Sequence, residues 1–315
     1  MKPIGVVVVS FNTRDLLRDC LSAVLAQGPA EVVVVDNGST DGSADEVRQG
    51  FPEVRLISCP DNPGFGGAAN RGAASCRTPF ILLLNADTRL EPGALAALVR
   101  ALESHPRAGV VGPRLLGPSG RRQSSWFPDP TPLHLLALNT WLNRLVRVTP
   151  VLRRRFRPVW ARRVTAGPVP WVKGAALAFR RAAFEQVNGF DERFFLYAED
   201  IDLCFRLRQA GWEVRSAPEA RVVHVEGAST RQARAASTAH FFDSLARFYR
   251  LHYPPAWRRR LRWVVGVILW ERLVRDSLKR AVARDPGRRA ELEIDLRSWR
   301  QLLAGRVSLG GTDPD

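Results

Sequence analysis

The sequence predicts an α/β protein with a mostly parallel sheet flanked by helices, a basic helical insertion and a C-terminal helical extension. Two observations predict the sheet. Short runs of Val, Ile and Leu alternate with segments of helical period along the first 120 residues. The runs also lack the alternating polar positions of a half-exposed strand, which indicates strands covered by helices on both faces. The insertion and the extension are predicted from a break in this rhythm and from the charge.

The elements follow from these patterns in chain order. Strands are predicted at residues 4–10, 31–36, 54–58, 80–85 and 171–179, with short strands at Val214 and at residues 221–224. Helices are predicted at residues 15–27, after Gly42, and at residues 65–75, 133–148, 181–187 and 200–210, followed by helical structure from 229 to about 304. Pro92 is expected in the first turn of a further helix, where proline is favoured.

Length and charge limit the class of protein. The chain has 315 residues, 45% of them hydrophobic, which allows one large or two medium domains with a substantial core. Residues 1–120 hold 11 basic and 12 acidic side chains, whereas residues 121–315 hold 36 and 19, so the later part carries the whole net charge of +16. We therefore expect a domain at residues 1–228, interrupted by a basic insertion at 121–170, and a helical region at 229–315.

The cysteines and apolar runs indicate a compartment. Cys20, Cys59, Cys76 and Cys204 form no C-x-x-C pair and are predicted to be buried thiols in a reducing environment. The first apolar run is too short for a signal peptide, and the longest later run, residues 263–270, is too short to span a bilayer. The predicted location is the cytoplasm, with the protein peripheral on the inner face of the cell membrane.

Polar residues end the predicted strands, where ligands bind in parallel sheets. Ser10, Asp36 and Asn85 each close an apolar run. Asp36 suits the hydrogen-bond donors of a base or ribose, but for this motif taken alone a plain turn with a helix cap is the favoured explanation. Asn85 and Asp87 stand two residues apart, so both can face one hard cation.

A glycine-rich loop and an acidic segment follow. Residues 61–72 open a helix of small residues, where Arg71 can neutralise a phosphate; close helix packing through the glycines is an equal alternative. Residues 189–206 interleave carboxylates with aromatic side chains just before a helix. The dipole of the following helix accounts for the acidic side chains but not for the aromatic ones, which suit the binding of a sugar. A carboxylate with a second carboxylate beside it suits the role of a general base. His224 ends a strand and is a metal-ligand candidate only together with Asp87.

These motifs, taken in order, resemble family 2 glycosyltransferases of the GT-A fold, and most of all the rhamnosyltransferase-like branch that elongates cell-surface polysaccharides. The ordered set runs from Val8-Val9-Ser10-Phe11-Asn12 through Asp36-Asn37-Gly38-Ser39-Thr40-Asp41, Asn62-Pro63-Gly64-Phe65-Gly66, Asn85-Ala86-Asp87, Lys173-Gly174-Ala175 and Gly189-Phe190-Asp191-Glu192 to Glu199-Asp200-Ile201-Asp202-Leu203 and His224. It covers residues 4 to about 230. Each motif is weak alone, but eight in order are specific.

The resemblance implies roles for these residues. Residues 1–120 would be the nucleotide-binding half, and residues 171–228 the acceptor-binding and catalytic half. The donor nucleotide would contact Ser10, Asp36, Asn37, Asp61, Asn62, Arg71 and Asn85. Asp87 and His224 would hold Mg²⁺ or Mn²⁺, with Asn85 in place of the first aspartate of the family's D-x-D motif. Asp200 is the expected catalytic base with Glu199 beside it, and Lys173, Phe195, Tyr197 and Asp202 would meet the acceptor.

The implied reaction is an inverting transfer from a nucleotide-sugar, dTDP-rhamnose or a UDP-sugar, to a glycan or lipid-linked acceptor. A nucleic-acid-binding protein is the main alternative, because residues 144–163 hold eight arginines and no acid, but carboxylates at the strand ends would repel nucleic acid. A sugar-nucleotide oxidoreductase is disfavoured because the first turn lacks G-x-G-x-x-G. The arginine-rich stretches indicate either a solvated face or an anionic membrane surface.

Overall fold

A computed structural model describes residues 2–155, 166–225 and 234–305. The chain divides into two compact units, residues 1–128 with 161–229 and residues 129–160 with 230–315. Residues 121–128 belong to the first unit, although the charge pattern places them in the predicted insertion. Residues 156–163 of the predicted arginine-rich stretch lie outside the described residues.

The first unit is built on one large sheet and a separate two-stranded ribbon. Its strands are β1 (Ile4–Ser10), β2 (Glu31–Asp36), β3 (Arg55–Ser58), β4 (Phe80–Asn85), β5 (Thr88–Leu90), β6 (Ala108–Leu116), β7 (Trp126–Phe127), β8 (Gly167–Pro168), β9 (Trp171–Val172), β10 (Ala176–Arg180) and β11 (Glu213–His224). Its helices are α1 (Arg14–Leu25), α2 (Ser43–Gly50), α3 (Gly64–Ser75), α4 (Ala94–Ser104), α8 (Arg181–Gln186) and α9 (Glu199–Gln209), with α5 to α7 in the second unit.

The sheet is mixed, with a parallel half that matches the prediction. The strand order is β3-β2-β1-β4-β10-β6-β11-β5, and β8 also pairs with β11. β3, β2, β1 and β4 run parallel, whereas β10 lies antiparallel between β4 and β6. β7 and β9 form a separate two-stranded ribbon. This α/β architecture confirms the predicted fold class.

Both faces of the sheet are covered, which explains the unbroken apolar runs. Val6 and Val8 of β1 belong to one core cluster, together with residues of α1 and α4. Val7 and Val9 belong to the other, together with residues of α3 and α9. Because successive strand side chains point to opposite faces, a strand buried on both sides needs an apolar residue at every position.

The structure corrects several predicted elements. Pro92 lies outside α4, which begins at Ala94 after a left-handed Gly93. Val214 and residues 221–224 belong to one long strand, β11, and the strands β5 and β6 were not predicted. The structure finds Cys20, Cys59, Cys76 and Cys204 buried with free thiols, as predicted.

The second unit is helical. Its elements are α5 (Pro132–Asn139), α6 (Leu142–Val148), α7 (Pro150–Arg155), α10 (Arg234–His252), α11 (Pro255–Val282) and α12 (Pro286–Leu303). The single helix predicted at residues 133–148 is broken at Thr140, whose backbone is extended. α11 packs against α5, α10 and α12, and the Tyr249 hydroxyl donates to the Pro130 carbonyl. In the described part of the chain, the helices are too short or too polar to cross a bilayer.

Candidate active site

The parallel strands bring three of the predicted site residues to one edge. Ser10 pairs with Asp36 in the β1–β2 register, and Val9 pairs with Asn85 in the β1–β4 register. The Asn37 amide donates to the Ser10 carbonyl at 2.8 Å, and the Ala86 amide donates to the Val9 carbonyl at 3.1 Å. Ser10 and Asp36 are buried. The carboxyl ends of these strands therefore form one polar floor.

The turns after β1 and β2 are tied to each other. The Thr40 amide donates to Asn12 Oδ1 at 2.8 Å, and the Asn12 amide donates to Ser39 Oγ at 2.9 Å. Asp41 accepts from the amides of Arg14 and Ser43 at 2.9 and 3.0 Å. These bonds fix the backbone on either side of Asp36.

Several buried acceptor oxygens on this floor have no hydrogen-bond partner among the described residues. They are Oδ1 of Asp36, Oδ1 of Asn37, Oδ1 of Asn85 and, at the start of α9, Oε2 of Glu199. Buried polar atoms are nearly always satisfied in folded proteins, and each exception needs an explanation. A bound ligand that donates hydrogen bonds to these oxygens would explain them, and a nucleoside carries suitable N–H and hydroxyl donors.

The glycine-rich loop and the acidic loop dock on each other. Phe65 donates its amide to the Phe195 carbonyl at 3.1 Å, and a Cβ on Gly64 would lie 2.4 Å from that same oxygen. Asn70 clamps the acidic loop through its side chain, accepting from the Phe190 amide and donating to the Phe190 carbonyl, both at 2.9 Å. The small residues of the loop thus permit a close backbone approach to the acidic segment.

Arg71 and Asp61 form an ion pair. The guanidinium donates to both carboxylate oxygens at 3.0 and 2.8 Å, and both side chains are more than 40% exposed. Asn62 lies beside them and accepts from the side-chain amide of Asn37 at 2.8 Å. Exposed pairs contribute little to stability, so Arg71 can exchange Asp61 for an anionic ligand at low cost. The diphosphate contact of Arg71 stays a prediction.

Asp200 lies at the start of α9 with both carboxylate oxygens held by backbone amides. Gly174 donates to Oδ2 and Ile201 donates to Oδ1, each at 2.8 Å. The next residue after Gly174, Ala175, accepts from the Asn85 amide at 3.0 Å. The turn between β9 and β10 therefore connects the end of β4 to the Asp200 carboxylate.

Burial raises the pKa of Asp200 above the usual range of an aspartate, and the two amides and the Lys173 charge partly oppose that rise. The pKa of Glu199 is also raised well above its usual range, first by burial and then by the charge of Asp200. Both residues follow Tyr197 and Ala198, whose φ angles of 67° and 61° are left-handed. Such non-glycine backbone is uncommon and concentrates at functional sites.

Asp87 and His224 form the other buried pair. Asp87 Oδ1 lies 3.5 Å from His224 Nε2, and the two side chains are 9% and 5% exposed. Gln123 holds the histidine by both ends of its amide: Nε2 donates to the His224 carbonyl at 2.9 Å, and Oε1 lies 3.0 Å from His224 Nδ1. The first bond orients the amide, so Oε1 accepts the Nδ1 proton, and in the neutral ring the Nε2 lone pair faces Asp87.

This arrangement fits a divalent cation. A carboxylate oxygen and an imidazole nitrogen converge at 3.5 Å, and the second ring nitrogen has the supporting acceptor that is common for metal-bound histidine. No group of three or more His, Cys, Asp or Glu side chains suited to a metal occurs within the described ranges. Two protein ligands are typical of Mg²⁺, which keeps waters and substrate phosphates in its remaining positions.

The remaining predicted residues have mixed surroundings. Lys173 lies next to the Asp200 site through Gly174, and Phe195 is 45% exposed in the acidic loop beside Tyr197. Asp202 is fully buried and accepts from Arg206 at 2.6 Å, and its contact with the acceptor stays a prediction. Neither Gln123 nor Asn70 was predicted from the sequence, and each bonds to a residue more than 100 positions away.

Comparisons with known proteins show the family of this chain. The model of Glycosyl transferase family 2 matches residues 5–164, and that of the N-terminal domain of galactosyltransferase matches residues 167–228. The chain is 33% identical over 296 residues to N-acetylglucosaminyl-diphospho-decaprenol L-rhamnosyltransferase of Mycobacterium tuberculosis, covering 88% of this chain and 94% of that protein. It is 30% identical to the pre-mycofactocin glycosyltransferase of the same species, covering 71% and 43%.

Two solved structures share the fold. The mannosyltransferase PcManGT of Pyrobaculum calidifontis, in complex with GDP-Man and Mn²⁺, aligns over 98% of this chain and 85% of its own, with a TM-score of 0.55 and 18% identity. GalNAc-T7 with UDP, GalNAc and Mn²⁺ aligns over 100% and 59%, with a TM-score of 0.58 and 15% identity. None of these matches supports the nucleic-acid-binding alternative. The chain belongs to glycosyltransferase family 2 and is a glycosyltransferase of the rhamnosyltransferase-like type with a GT-A fold.

Proposed function

We propose that this enzyme moves a sugar, with rhamnose from dTDP-rhamnose as the first candidate and UDP-sugars next, to a hydroxyl of a lipid-linked cell-surface glycan, with inversion. The observation that carries the proposal is the link from the polar floor to the base: the Asn85 amide donates to the Ala175 carbonyl, and the Gly174 amide donates to Asp200 Oδ2. The similarity to a rhamnosyltransferase named for a diphospho-decaprenol acceptor supports the choice of sugar and acceptor.

Asp200 is the proposed general base. Each of its oxygens accepts one backbone amide and keeps a lone pair for an acceptor hydroxyl. The raised pKa makes the carboxylate a stronger proton acceptor than an exposed aspartate. As Asp200 takes the proton, the acceptor oxygen bonds to the anomeric carbon, and the bond from that carbon to the diphosphate oxygen breaks. A single displacement of this kind inverts the anomeric configuration.

The departing nucleoside diphosphate carries negative charge that the site must stabilise. Asp36, Asn37 and Asn85 would hold the nucleoside, which their unpartnered buried oxygens support, and Arg71 would turn from Asp61 to the diphosphate. Asp87 and His224 would hold Mg²⁺ or Mn²⁺, which when bound neutralises charge on the diphosphate oxygens. The proposed place of action is the cytoplasm at the inner face of the cell membrane.

A donor screen tests the proposal. The purified protein is incubated with dTDP-rhamnose and a panel of UDP-sugars, with and without an N-acetylglucosaminyl-diphospho-lipid and EDTA, and released nucleoside diphosphate is measured. We expect acceptor-dependent release with dTDP-rhamnose, inhibition by EDTA and an inverted anomeric centre in the product. Absence of turnover with every donor, or a product of retained configuration, would contradict the proposed reaction.

A further inference from the structure

The net charge of the chain is concentrated in the second unit. Residues 129–160 and 230–315 hold 24 basic and 10 acidic side chains, whereas the first unit holds 23 and 21. The proposed reaction needs no such excess, because the candidate site residues all belong to the first unit. This excess of positive charge would attract an anionic surface.

α11 exposes an apolar face that packing within the second unit does not use. Leu261, Val264, Val265, Ile268 and Leu269 are buried on one side of this helix. On another side, Trp263 and Trp270 are 65% and 62% exposed, and Val274 and Leu278 are also exposed. At 100° per residue these four side chains fall within about 80° of arc, so they form one continuous stripe. We name residues 263, 270, 274 and 278 the tryptophan face.

Arginines adjoin the tryptophan face at its N-terminal end. Arg259 and Arg260 precede Trp263 by about one turn and, like Arg262, are exposed. Arg259, Arg260 and Arg262 form no ion pair with the part of the chain that the structure describes. Arg259 and Arg262 also line a cavity of about 320 Å³ with Arg250, Arg258 and Tyr249. The cations further along α11 are engaged instead, Lys279 with Asp276 and Arg280 with Glu293.

We propose that α11 lies in the headgroup layer of an anionic membrane, with the tryptophan face inserted and Arg259, Arg260 and Arg262 on lipid phosphates. Tryptophan favours the membrane interface, and an amphipathic helix with a basic flank lies in the plane of the bilayer. A second copy of the chain is a poor occupant, because two such basic surfaces repel each other. The proposal specifies where the acceptor's membrane is bound and so rests on the proposed function, but its test uses no donor or acceptor.

The test is flotation of the full-length protein with vesicles of phosphatidylcholine, with or without phosphatidylglycerol. Two variants are compared with wild type: Trp263→Ala with Trp270→Ala, and Arg259→Gln with Arg260→Gln and Arg262→Gln. The matched control replaces three exposed arginines of the first unit, Arg77, Arg89 and Arg100, with glutamine, which changes the net charge equally. Circular dichroism and gel filtration check the fold and the oligomeric state of each protein.

We expect binding only to anionic vesicles, weaker at high salt. Because each arginine near such a surface contributes about 1 kcal/mol, the triple α11 variant should partition about 100-fold more weakly, and the control should bind like wild type. The tryptophan variant should also lose binding. Equal loss in the control, full binding by both α11 variants, or retention of RNA in place of vesicles would overturn the proposal. Dimerisation that is lost only in the tryptophan variant would assign the face to self-association instead.

Discussion

Replacing Gln123 with leucine should weaken metal binding without touching a metal ligand. Gln123 bonds to His224 twice, at 2.9 Å to the carbonyl and at 3.0 Å to Nδ1. Leucine keeps the approximate volume but removes the acceptor that fixes the ring tautomer and its orientation toward Asp87. Loss of such supporting partners typically costs about 10- to 100-fold in metal affinity, which is about 1.4 to 2.7 kcal/mol.

The assay is titration of Mn²⁺ in the presence of dTDP, followed by the electron paramagnetic resonance signal of the free ion. Gln27→Leu is the matched control, because Gln27 also uses both ends of its amide, donating to the Glu91 carbonyl at 3.2 Å and accepting from the Leu95 amide at 3.0 Å. Gln123→Glu retains an acceptor for the Nδ1 proton and should retain most of the affinity. Unchanged Mn²⁺ affinity in Gln123→Leu, or equal weakening in Gln27→Leu, would refute the reasoning.

Two further changes probe the loops and the carboxyl pair. Gly64→Ala should lower the free energy of unfolding, measured with denaturant, by about 1 to 3 kcal/mol more than Gly93→Ala does. Both glycines have φ near +80°, but only a Cβ at Gly64 would clash with backbone, that of Phe195. Equal losses of stability in the two variants would contradict the close docking of the two loops. The raised pKa of Glu199 means that the folded state holds its proton more tightly than the unfolded chain, so stability falls as pH rises from the usual glutamate range through that pKa. Glu199→Gln should flatten this fall in unfolding midpoints measured across pH, and parallel profiles would contradict the assignment.

The strands of the polar floor could be predicted because burial on both faces requires unbroken apolar runs, which the sequence shows. The predicted bounds of β1, β2 and β4 match the structure. β6 was not predicted because Gly109 and Gly112 interrupt its apolar pattern. Tertiary packing explains these glycines: a Cβ at Gly109 would lie 2.8 Å from the Trp212 side chain, and a Cβ at Gly112 would lie 2.6 Å from the Val172 side chain. β11 was divided in two because its pairing with β6 shifts between Ala217 and Arg221.

The sequence predicted which residues form the candidate site but not which side chains hold them by hydrogen bonds. Strand ends place Ser10, Asp36 and Asn85 on one edge by topology alone, which a sequence of alternating elements implies. The bond between Gln123 and His224 spans 101 residues, and no local period encodes it. The burial of Asp202 could not be predicted either, since it depends on how α9 packs and not on the neighbours of Asp202 in the motif.

The central claim is that Asp200 is the base that activates the acceptor. Asp200→Asn keeps an oxygen for one of the two backbone amides but cannot accept the hydroxyl proton as a carboxylate. The decisive measurement compares the rate of sugar transfer with the donor dissociation constant in this variant. We expect the transfer rate to fall by about 10² to 10⁴ and the donor affinity to stay nearly unchanged. Near-wild-type transfer, or a loss explained wholly by weaker donor binding, would contradict it.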